Sequence, residues 1–210
     1  MTIGYITVCQ RGQWRRPYDM IMDAVKGNGL YEETTEIRIV VLNDNTIWEH
    51  DTRFEDPKVV IVGHQPTSTF ERHTLVHMAN YAETDDPTAY WYAHTKGITH
   101  FGSGNADLEN NVTDWIKYMC HHNFTNWRNA LEQLQSNDTY GCEHHFCPVP
   151  HYSGNYWWAN RDYIRRLPKS VGPGYCDPEF WLHQMPDVMI HNTTSSGHTP
   201  GGLYFNRAPI

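Results

Sequence analysis

The sequence has few charged residues and no long apolar run. Of its 210 residues, 19% are Asp, Glu, Lys or Arg, and the formal net charge is −8. An acidic chain disfavours general nucleic-acid binding, because neutralising a phosphate backbone requires a basic surface. No stretch approaches the length of a membrane-spanning helix, and the start, MTIGYITVCQ, lacks the basic and apolar regions of a signal peptide. We therefore expect a cytoplasmic protein that binds no nucleic acid and has no membrane span.

Cysteine is also scarce, and its spacing predicts no disulfide framework. The five cysteines are an odd number in a medium-sized chain. The segment CEHHFC at 142–147 places two histidines between two thiols, but a structural zinc site usually needs a second, matching ligand pair. We therefore interpret this segment as a strand end and a loop rather than as a zinc site.

Several nucleotide and hydrolase motifs are missing. There is no Gly-x-x-x-x-Gly-Lys-Ser/Thr loop, no Gly-x-Gly-x-x-Gly after the first predicted strand, and no Gly-x-Ser-x-Gly elbow. These absences disfavour P-loop hydrolases, dinucleotide-binding enzymes and serine hydrolases. A nucleoside diphosphate could still be held by Lys, Arg and His side chains with a bridging divalent cation.

What is present predicts one α/β domain over residues 1–210. Hydrophobic residues make up 39% of the chain, and no low-complexity tract or linker divides it. Short apolar runs alternate with segments whose apolar residues have helical spacing. This pattern is typical of a mostly parallel sheet flanked by helices. The predicted strands lie at 3–9, 36–44, 57–65, 89–97, 139–146 and 187–192, and the main predicted helices at 17–30, 69–83 and 111–135, the last with a break near Asn123.

Polar residues follow the predicted strands, most clearly in AYWYAHTKG at 89–97. In parallel α/β sheets the ligand binds beyond the carboxyl ends of the strands. We therefore expect the polar residues at these ends to surround a site. They are Gln10, Arg11, Trp14, Asn43, Asp44, His64, Gln65, His94, Thr95, Lys96, His191 and Asn192.

Four segments resemble a family of glycosyltransferase-like proteins. YWYAHTKG, DWIKYM, HYSGNYWWANRDYIRRLP and PEFWLHQ occur here in the order seen in that family, and SGNYWWA is the most specific of them. The chain length and the start ITVCQRGQWRR resemble N-terminal glycosyltransferase domains of chlorella-virus proteins that help to build the capsid glycan. The resemblance covers nearly the whole chain.

The resemblance implies a GT-A-like nucleotide-binding domain with a central, mostly parallel mixed sheet of about six strands. It implies a UDP-sugar donor, a glycan acceptor and a Mn²⁺ or Mg²⁺ cofactor. It also implies that the 210 residues are one domain, or one module of a longer chain. Neither the sugar, the acceptor nor the oligomeric state follows from it.

The resemblance also assigns roles to individual residues. Glu179 in PEFW would be the acidic residue near the acceptor, although a carboxylate that stabilises a helix N-terminus is an equal alternative. Lys96 would neutralise the diphosphate, with Gly97 beside it. The uracil and ribose would contact Thr7, Val8, Gln10, Arg11, Trp14, Arg15 and Thr74, and the sugar pocket would contain Ser153, Gly154, Asn155 and either Trp157 or Trp158.

The metal site is where the sequence departs from the family. GT-A enzymes usually carry Asp-x-Asp at the end of the fourth strand, whereas this chain has His94-Thr95-Lys96. An ammonium group cannot ligate a cation, but His94 can. The remaining candidate ligands are His191, with His198 as the alternative, and Asp44, with Asp85 and Asp86 as alternatives.

Three functions are consistent with these residues. The first is transfer of a hexose or deoxyhexose from a UDP-sugar to a glycan acceptor, for a viral capsid glycan. The second is a catalytically idle module that binds sugar nucleotides or carbohydrates, and the third is hydrolysis of sugar nucleotides. Transfer predicts that donor cleavage requires an acceptor, whereas hydrolysis does not.

Overall fold

Seven strands form the main sheet in the computed structural model, which describes residues 1–45 and 50–209. In spatial order the sheet reads β3-β2-β1-β4-β8-β5-β9. Strand β8 is antiparallel to both of its neighbours, and the other pairs are parallel. The strands are β1 (Thr2–Cys9), β2 (Thr34–Leu42), β3 (Val59–Gln65), β4 (Ala89–His94), β5 (Thr139–Gly141), β8 (Trp157–Asn160) and β9 (Ile190–Asn192), and a separate hairpin contains β6 (His144–His145) and β7 (His151–Tyr152).

Helices cover both faces of this sheet. They are α1 (Arg15–Lys26), α2 (Leu30–Glu33), α3 (Arg72–Tyr81), α4 (Ala106–Cys120), α5 (Trp127–Gln133), α6 (Arg161–Arg166) and α7 (Asp177–Phe180). A π-helical turn over His121–Thr125 separates α4 from α5, at the predicted break near Asn123. No helix within the described residues is both long and apolar enough to cross a membrane.

The alternation of side chains along β1 divides the core into two layers. Ile6 and Val8 pack with α1 and α4, whereas Ile3 and Tyr5 pack with α3 and α6. Both layers are apolar because β1 lies in the middle of a sheet with helices on both sides. Thr7 is the polar exception on the α3 layer, and it lies at the carboxyl end of the strand.

The predicted fold class, a mostly parallel mixed sheet flanked by helices, is confirmed, with seven strands in place of about six. The segment predicted as one strand at 139–146 is two: β5 belongs to the main sheet and β6 to the hairpin. The backbone turns between them, where Glu143 has a φ of 57°. After this turn the segment CEHHFC leaves the main sheet, so it forms a strand end and a loop. The two thiols of the segment are free.

Candidate functional site

A cleft of about 480 Å³ opens at the carboxyl ends of β1 and β4. The start of α3, the residues after β4, the hairpin, α7 and the chain near Tyr204 form its walls. This is the edge at which parallel α/β sheets bind ligands. The cleft is lined by Thr7, Cys9, Arg11, Leu42, Thr67, Phe70, Glu71, His94–His100, Trp115, Pro148, His151, Ser153, Tyr175, Cys176, Glu179, Phe180, Pro200, Gly201 and Tyr204.

Lys96 provides a buried positive charge in this cleft. Its side chain is 6% exposed, and its Nζ lies 4.3 Å from the ring centre of Trp115 and 5.3 Å from that of Tyr204. Burial acts to lower the pKa of Lys96, but nearby Tyr204 and Glu179 outweigh it and the pKa is raised. Lys96 is therefore a cation at neutral pH. No carboxylate in the described ranges lies within 4.0 Å of its Nζ.

The other guanidinium or ammonium group on the cleft, that of Arg11, is already paired. Arg11 forms an ion pair with Asp44, and Asp44 also accepts hydrogen bonds from the backbone and the hydroxyl of Thr67. The Thr67 hydroxyl and Arg11 together lower the pKa of Asp44 to about 2. The charge of Arg11 is therefore balanced at the rim, whereas that of Lys96 is available to an anionic ligand.

His94 and Glu71 form a buried pair beside Lys96. The Nδ1 of His94 lies 3.1 Å from the Oε1 of Glu71, and its Nε2 lies 3.1 Å from the carbonyl oxygen of Gly154. A carbonyl only accepts, so Nε2 carries a hydrogen. Burial lowers the pKa of His94 to about 4, with Lys96 adding to the effect, and burial raises the pKa of Glu71. Burial thus disfavours the charged form of each group, and the contact between Nδ1 and Oε1 holds the two side chains together.

Glu179 provides a second carboxylate on the cleft. It lies on α7, half-buried, and it contributes to raising the pKa of Lys96. Next to α7 is His151, whose ring lies 5.4 Å from that of Phe180. The Nδ1 of His151 donates to the Val149 carbonyl at 2.7 Å, which leaves Nε2 for a ligand. The cleft thus combines one available cation, one carboxylate and an imidazole.

The structure brings eight of the predicted site residues to the cleft. Alternation along β1 places Thr7 on it, where the Thr7 hydroxyl contacts those of Thr74 at 2.6 Å and Tyr92 at 3.0 Å. Ser153 lies on the opposite wall. The eight residues are Thr7, Arg11, His94, Thr95, Lys96, Gly97, Ser153 and Glu179.

Five residues predicted to contact uracil and ribose do not line the cleft. Val8 points to the opposite face of the sheet from Thr7 and belongs to the core. Gln10 accepts a hydrogen bond from Asn43, and Thr74 is fully buried beneath Thr7.

The other two belong to the packing around α1. Trp14 is buried against Phe54, with ring centres 5.7 Å apart. Arg15 donates to Asp51 at 2.8 Å, and its guanidinium covers the Trp14 ring. An aromatic ring and a cation close in sequence contact each other here, away from the cleft, and the ligand contact of both residues stays a prediction.

The tryptophans of SGNYWW are also core residues. Trp157 and Trp158 are 1% and 0% exposed, because they alternate between the two buried faces of β8. The Trp158 Nε1 donates to the Asn123 carbonyl at 2.8 Å. Neither ring offers a face to a sugar, which corrects that prediction.

Gly154 and Asn155 shape the cleft without lining it. Both have positive φ angles, 93° and 58°. Gly154 positions His94 through its carbonyl oxygen, and the Oδ1 of Asn155 accepts from Trp157 Nε1 at 2.8 Å. Their predicted contact with the donor is therefore replaced by a role in forming the turn beneath His94.

The predicted metal ligands do not assemble. Strand β9, which carries His191, is three strands from β4, about 14 Å away at ordinary strand spacing. His191 stacks on Tyr140 at 5.3 Å, and His198 does not line the cleft. Asp44 is engaged by Arg11 and Thr67, and both ring nitrogens of His94 are engaged.

The alternative acidic ligands are engaged elsewhere as well. Asp85 accepts from Arg38 at 2.6 Å and Asp86 from Arg161 at 3.2 Å. Within 1–45 and 50–209, no three His, Cys, Asp or Glu side chains form a group that could hold a metal ion. The predicted ligands therefore form no metal site among the described residues, and the Mn²⁺ or Mg²⁺ cofactor stays a prediction.

Sequence reasoning missed several residues of the cleft. Glu71 was interpreted as part of an ordinary helix, although a helix that follows a parallel strand begins at the ligand-binding edge. Cys9 could have been predicted, because it lies two residues after Thr7 on β1 and its side chain therefore points to the same face of the sheet. Tyr175 and Tyr204 had no signal in the sequence, because long irregular segments bring them to the cleft.

A family model described as a domain of unknown function (DUF8361) matches residues 28–188, most of the chain and most of the cleft. No curated protein matches the sequence.

Two solved structures are similar in fold. Rv0371c from Mycobacterium tuberculosis H37Rv superposes with a TM-score of 0.51 at 10% identity, over 95% of this chain and 91% of that one. HddC from Yersinia pseudotuberculosis gives a TM-score of 0.44 at 8% identity, over 93% of this chain and 91% of that one. At such low identity the first shows a shared fold, and the second carries no argument.

Proposed function

The chain belongs to the DUF8361 family, and we propose from its cleft that it is a glycosyltransferase, moving a hexose or deoxyhexose from a UDP-sugar to a glycan acceptor. The observation that carries the proposal is the buried Lys96 ammonium at the carboxyl end of β4, which has no carboxylate of the described residues within 4.0 Å. A diphosphate is a ligand that such a charge favours. The UDP moiety and the viral capsid glycan rest on the sequence resemblance alone, and the cytoplasmic location stays an expectation from the sequence.

The chemistry assigns different roles to Lys96 and Glu179. The Glu179 carboxylate accepts the proton of the acceptor hydroxyl, and the acceptor oxygen forms a bond to the anomeric carbon. The bond from that carbon to the β-phosphate oxygen breaks, and its electron pair leaves with UDP. Lys96 stabilises the negative charge that develops on the leaving phosphate. The buried pair of Glu71 and His94 fixes the floor next to Lys96.

A catalytically idle binding module is the second candidate. It is favoured by the pairing of Glu71 with His94, which leaves Glu179 as the only lining carboxylate in the described cleft that could act as a base. The same cleft would then bind a sugar nucleotide or a carbohydrate without turnover. The third hypothesis, hydrolysis of sugar nucleotides, predicts release of UDP at the same rate with and without an acceptor.

Calorimetric titration with UDP tests the proposal. The variants are Lys96→Ala and Lys117→Ala, the latter an exposed lysine of α4 that does not line the cleft. Loss of a charged hydrogen-bond donor is worth about 1.5–3 kcal/mol, so Lys96→Ala should weaken binding by about tenfold or more. Lys117→Ala should bind as the original chain does. Equal affinities in the two variants, or no UDP binding by the original chain, would refute the proposal.

Turnover separates the candidate functions once UDP binding is established. UDP release from a panel of UDP-sugars is measured with and without glycan acceptors, in the original chain and in Glu179→Gln. Acceptor-dependent release that falls at least about 100-fold in Glu179→Gln supports transfer. Binding without release supports the idle module, and release without an acceptor supports hydrolysis.

A further inference from the structure

Three aromatic side chains form one wall of the cleft, here called the aromatic wall: Phe70, Tyr175 and Phe180. The rings of Phe70 and Tyr175 lie 5.2 Å apart, edge to face. Tyr175 is 77% exposed, an unusual placement for a large ring at the mouth of a cavity. Exposed aromatic rings that line a cavity are typical of ligand contact.

The segment that carries Tyr175 is held in place by Arg72. The guanidinium donates to the carbonyl oxygens of Gly172, at 2.6 Å, and of Gly174. It also donates to Thr69 at 3.1 Å and lies 5.4 Å from the ring centre of Phe70. One side chain thus ties both halves of the aromatic wall to the first turn of α3. The backbone that presents Tyr175 is therefore anchored at Gly172 and Gly174 by one guanidinium.

The two glycines in this segment allow it to close around Asp177. The Gly174 backbone N–H donates to Asp177 Oδ2 at 2.6 Å. A Cβ atom at Gly172 or Gly174 would come within 2.2 or 2.8 Å of a carboxylate oxygen of Asp177. A side chain at either position would therefore displace the Asp177 carboxylate, and the turn sets Tyr175 at the start of the helix that carries Glu179. Phe70 itself has a φ of 49°, which is strained for a residue with a side chain.

We propose that the aromatic wall is the acceptor subsite and that it binds the apolar face of a neutral pyranose ring. The groups beside the wall are the Glu179 carboxylate and the Nε2 of His151, and both accept hydrogen bonds from hydroxyl groups. An anionic acceptor would be repelled by Glu179, whereas a neutral sugar offers hydroxyls to these acceptors and C–H groups to the rings. This inference rests on the proposed function, because it places the acceptor beside Glu179.

Saturation-transfer NMR with methyl glycosides of D-glucose, D-galactose, D-mannose and L-rhamnose tests this subsite. We expect at least one glycoside to receive saturation on the C–H groups of one ring face. Tyr175→Ala should weaken its binding at least about fivefold, and Tyr175→Phe should retain it, because the ring and not the hydroxyl makes the contact. Phe146→Ala is the control, since Phe146 is 78% exposed but does not line the cleft.

The outcomes separate this inference from the proposed function. UDP is titrated into the same samples, and Tyr175→Ala should bind it as tightly as the original chain does. If UDP binds but no glycoside receives saturation, or if Tyr175→Ala and Phe146→Ala have the same effect, the subsite is refuted and the proposed function stands. If Tyr175→Ala weakens UDP instead of the glycosides, the aromatic wall binds the nucleotide and the inference is wrong.

Discussion

At the scale of single residues, Lys96 shows how a chain can keep a cation out of water. Transfer of an ammonium group into the interior is costly unless other interactions replace its hydration. Here the faces of Trp115 and Tyr204 lie 4.3 and 5.3 Å from the Nζ, and such contacts are worth about 2 kcal/mol when desolvated. These faces and a hydrogen bond with Tyr204 stabilise the charge, and no carboxylate of the described residues lies within 4.0 Å of it. Lys96 therefore keeps its attraction for an anion.

This arrangement predicts that UDP binding is insensitive to chelation. Because the described side chains offer no group of three metal ligands, the charge that opposes the diphosphate comes from Lys96. We expect the affinity for UDP, measured by calorimetry, to change less than about threefold, under 1 kcal/mol, between 5 mM EDTA and 5 mM MnCl₂. A loss of binding in EDTA comparable to that caused by Lys96→Ala would contradict this expectation.

At the scale of elements, the turn between β4 and α4 brings the strand end close to the helix. Gly97 has a φ of 69°, and a Cβ atom there would lie 2.4 Å from Cγ1 of Val112 on α4. Both the backbone conformation and the close approach therefore require glycine. This turn leads the chain away from the sheet directly after Lys96, so the position of the cation depends on it.

Gly97→Ala should therefore destabilise the fold through two effects. The left-handed conformation costs about 1–2 kcal/mol for a residue with a Cβ atom, and overpacking against Val112 adds about 1–3 kcal/mol. Gly104→Ala is the matched control, because Gly104 has a φ of 80° but no atom within 4 Å of an added Cβ. Urea unfolding should show a greater loss for Gly97→Ala by at least about 1 kcal/mol. Equal losses would mean that the Val112 contact relaxes without cost.

The elements themselves were largely predictable from sequence, for identifiable reasons. Short apolar runs separated by segments with a helical pattern of apolar residues are best interpreted as buried strands. The structure confirms the three strands predicted in this way, β1, β2 and β3. The break near Asn123 was also correct, and it takes the form of a π-helical turn in which Asn123 Nδ2 donates to the Met119 carbonyl at 2.9 Å. The split of 139–146 was missed, because a positive φ at Glu143 has no sequence signature.

The site was only partly predictable, because its side chains come from distant segments. The ends of β1 and β4 line one cleft, as strand ends converge by topology, and the binding roles of their residues stay predictions. Glu71 and Tyr175 depend on tertiary contacts, such as those of Arg72, that no local pattern encodes. Trp158 lies in a distinctive motif and was therefore predicted to contact the donor, but its side chain is buried in the core.

At the scale of the whole molecule, the fold buries several histidines in neutral form. Burial is the largest cause of each lowered pKa, which is about 4 for His77, His94 and His144 and about 3 for His183. Below the ordinary value of about 6.5 the unfolded chain binds protons that the folded chain does not, so stability falls as the pH falls from about 6.5 to 4. The raised pKa of Glu71 has the opposite effect, because it stabilises the folded state as the pH falls. It concerns a single carboxyl group, so the four histidines outweigh it.

We therefore expect the free energy of unfolding, measured with urea, to decrease steeply between pH 7 and 4.5. His183 is 5% exposed, so His183→Gln isolates one buried ring. Since one pKa unit corresponds to about 1.4 kcal/mol, this variant should reduce the loss over that range by about 2 kcal/mol. The comparison is between slopes, so a uniform loss of stability in the variant does not disturb it. His64→Gln, at an exposed position of β3, should leave the slope unchanged, and identical slopes in the two variants would show that burial of His183 does not govern the acid response.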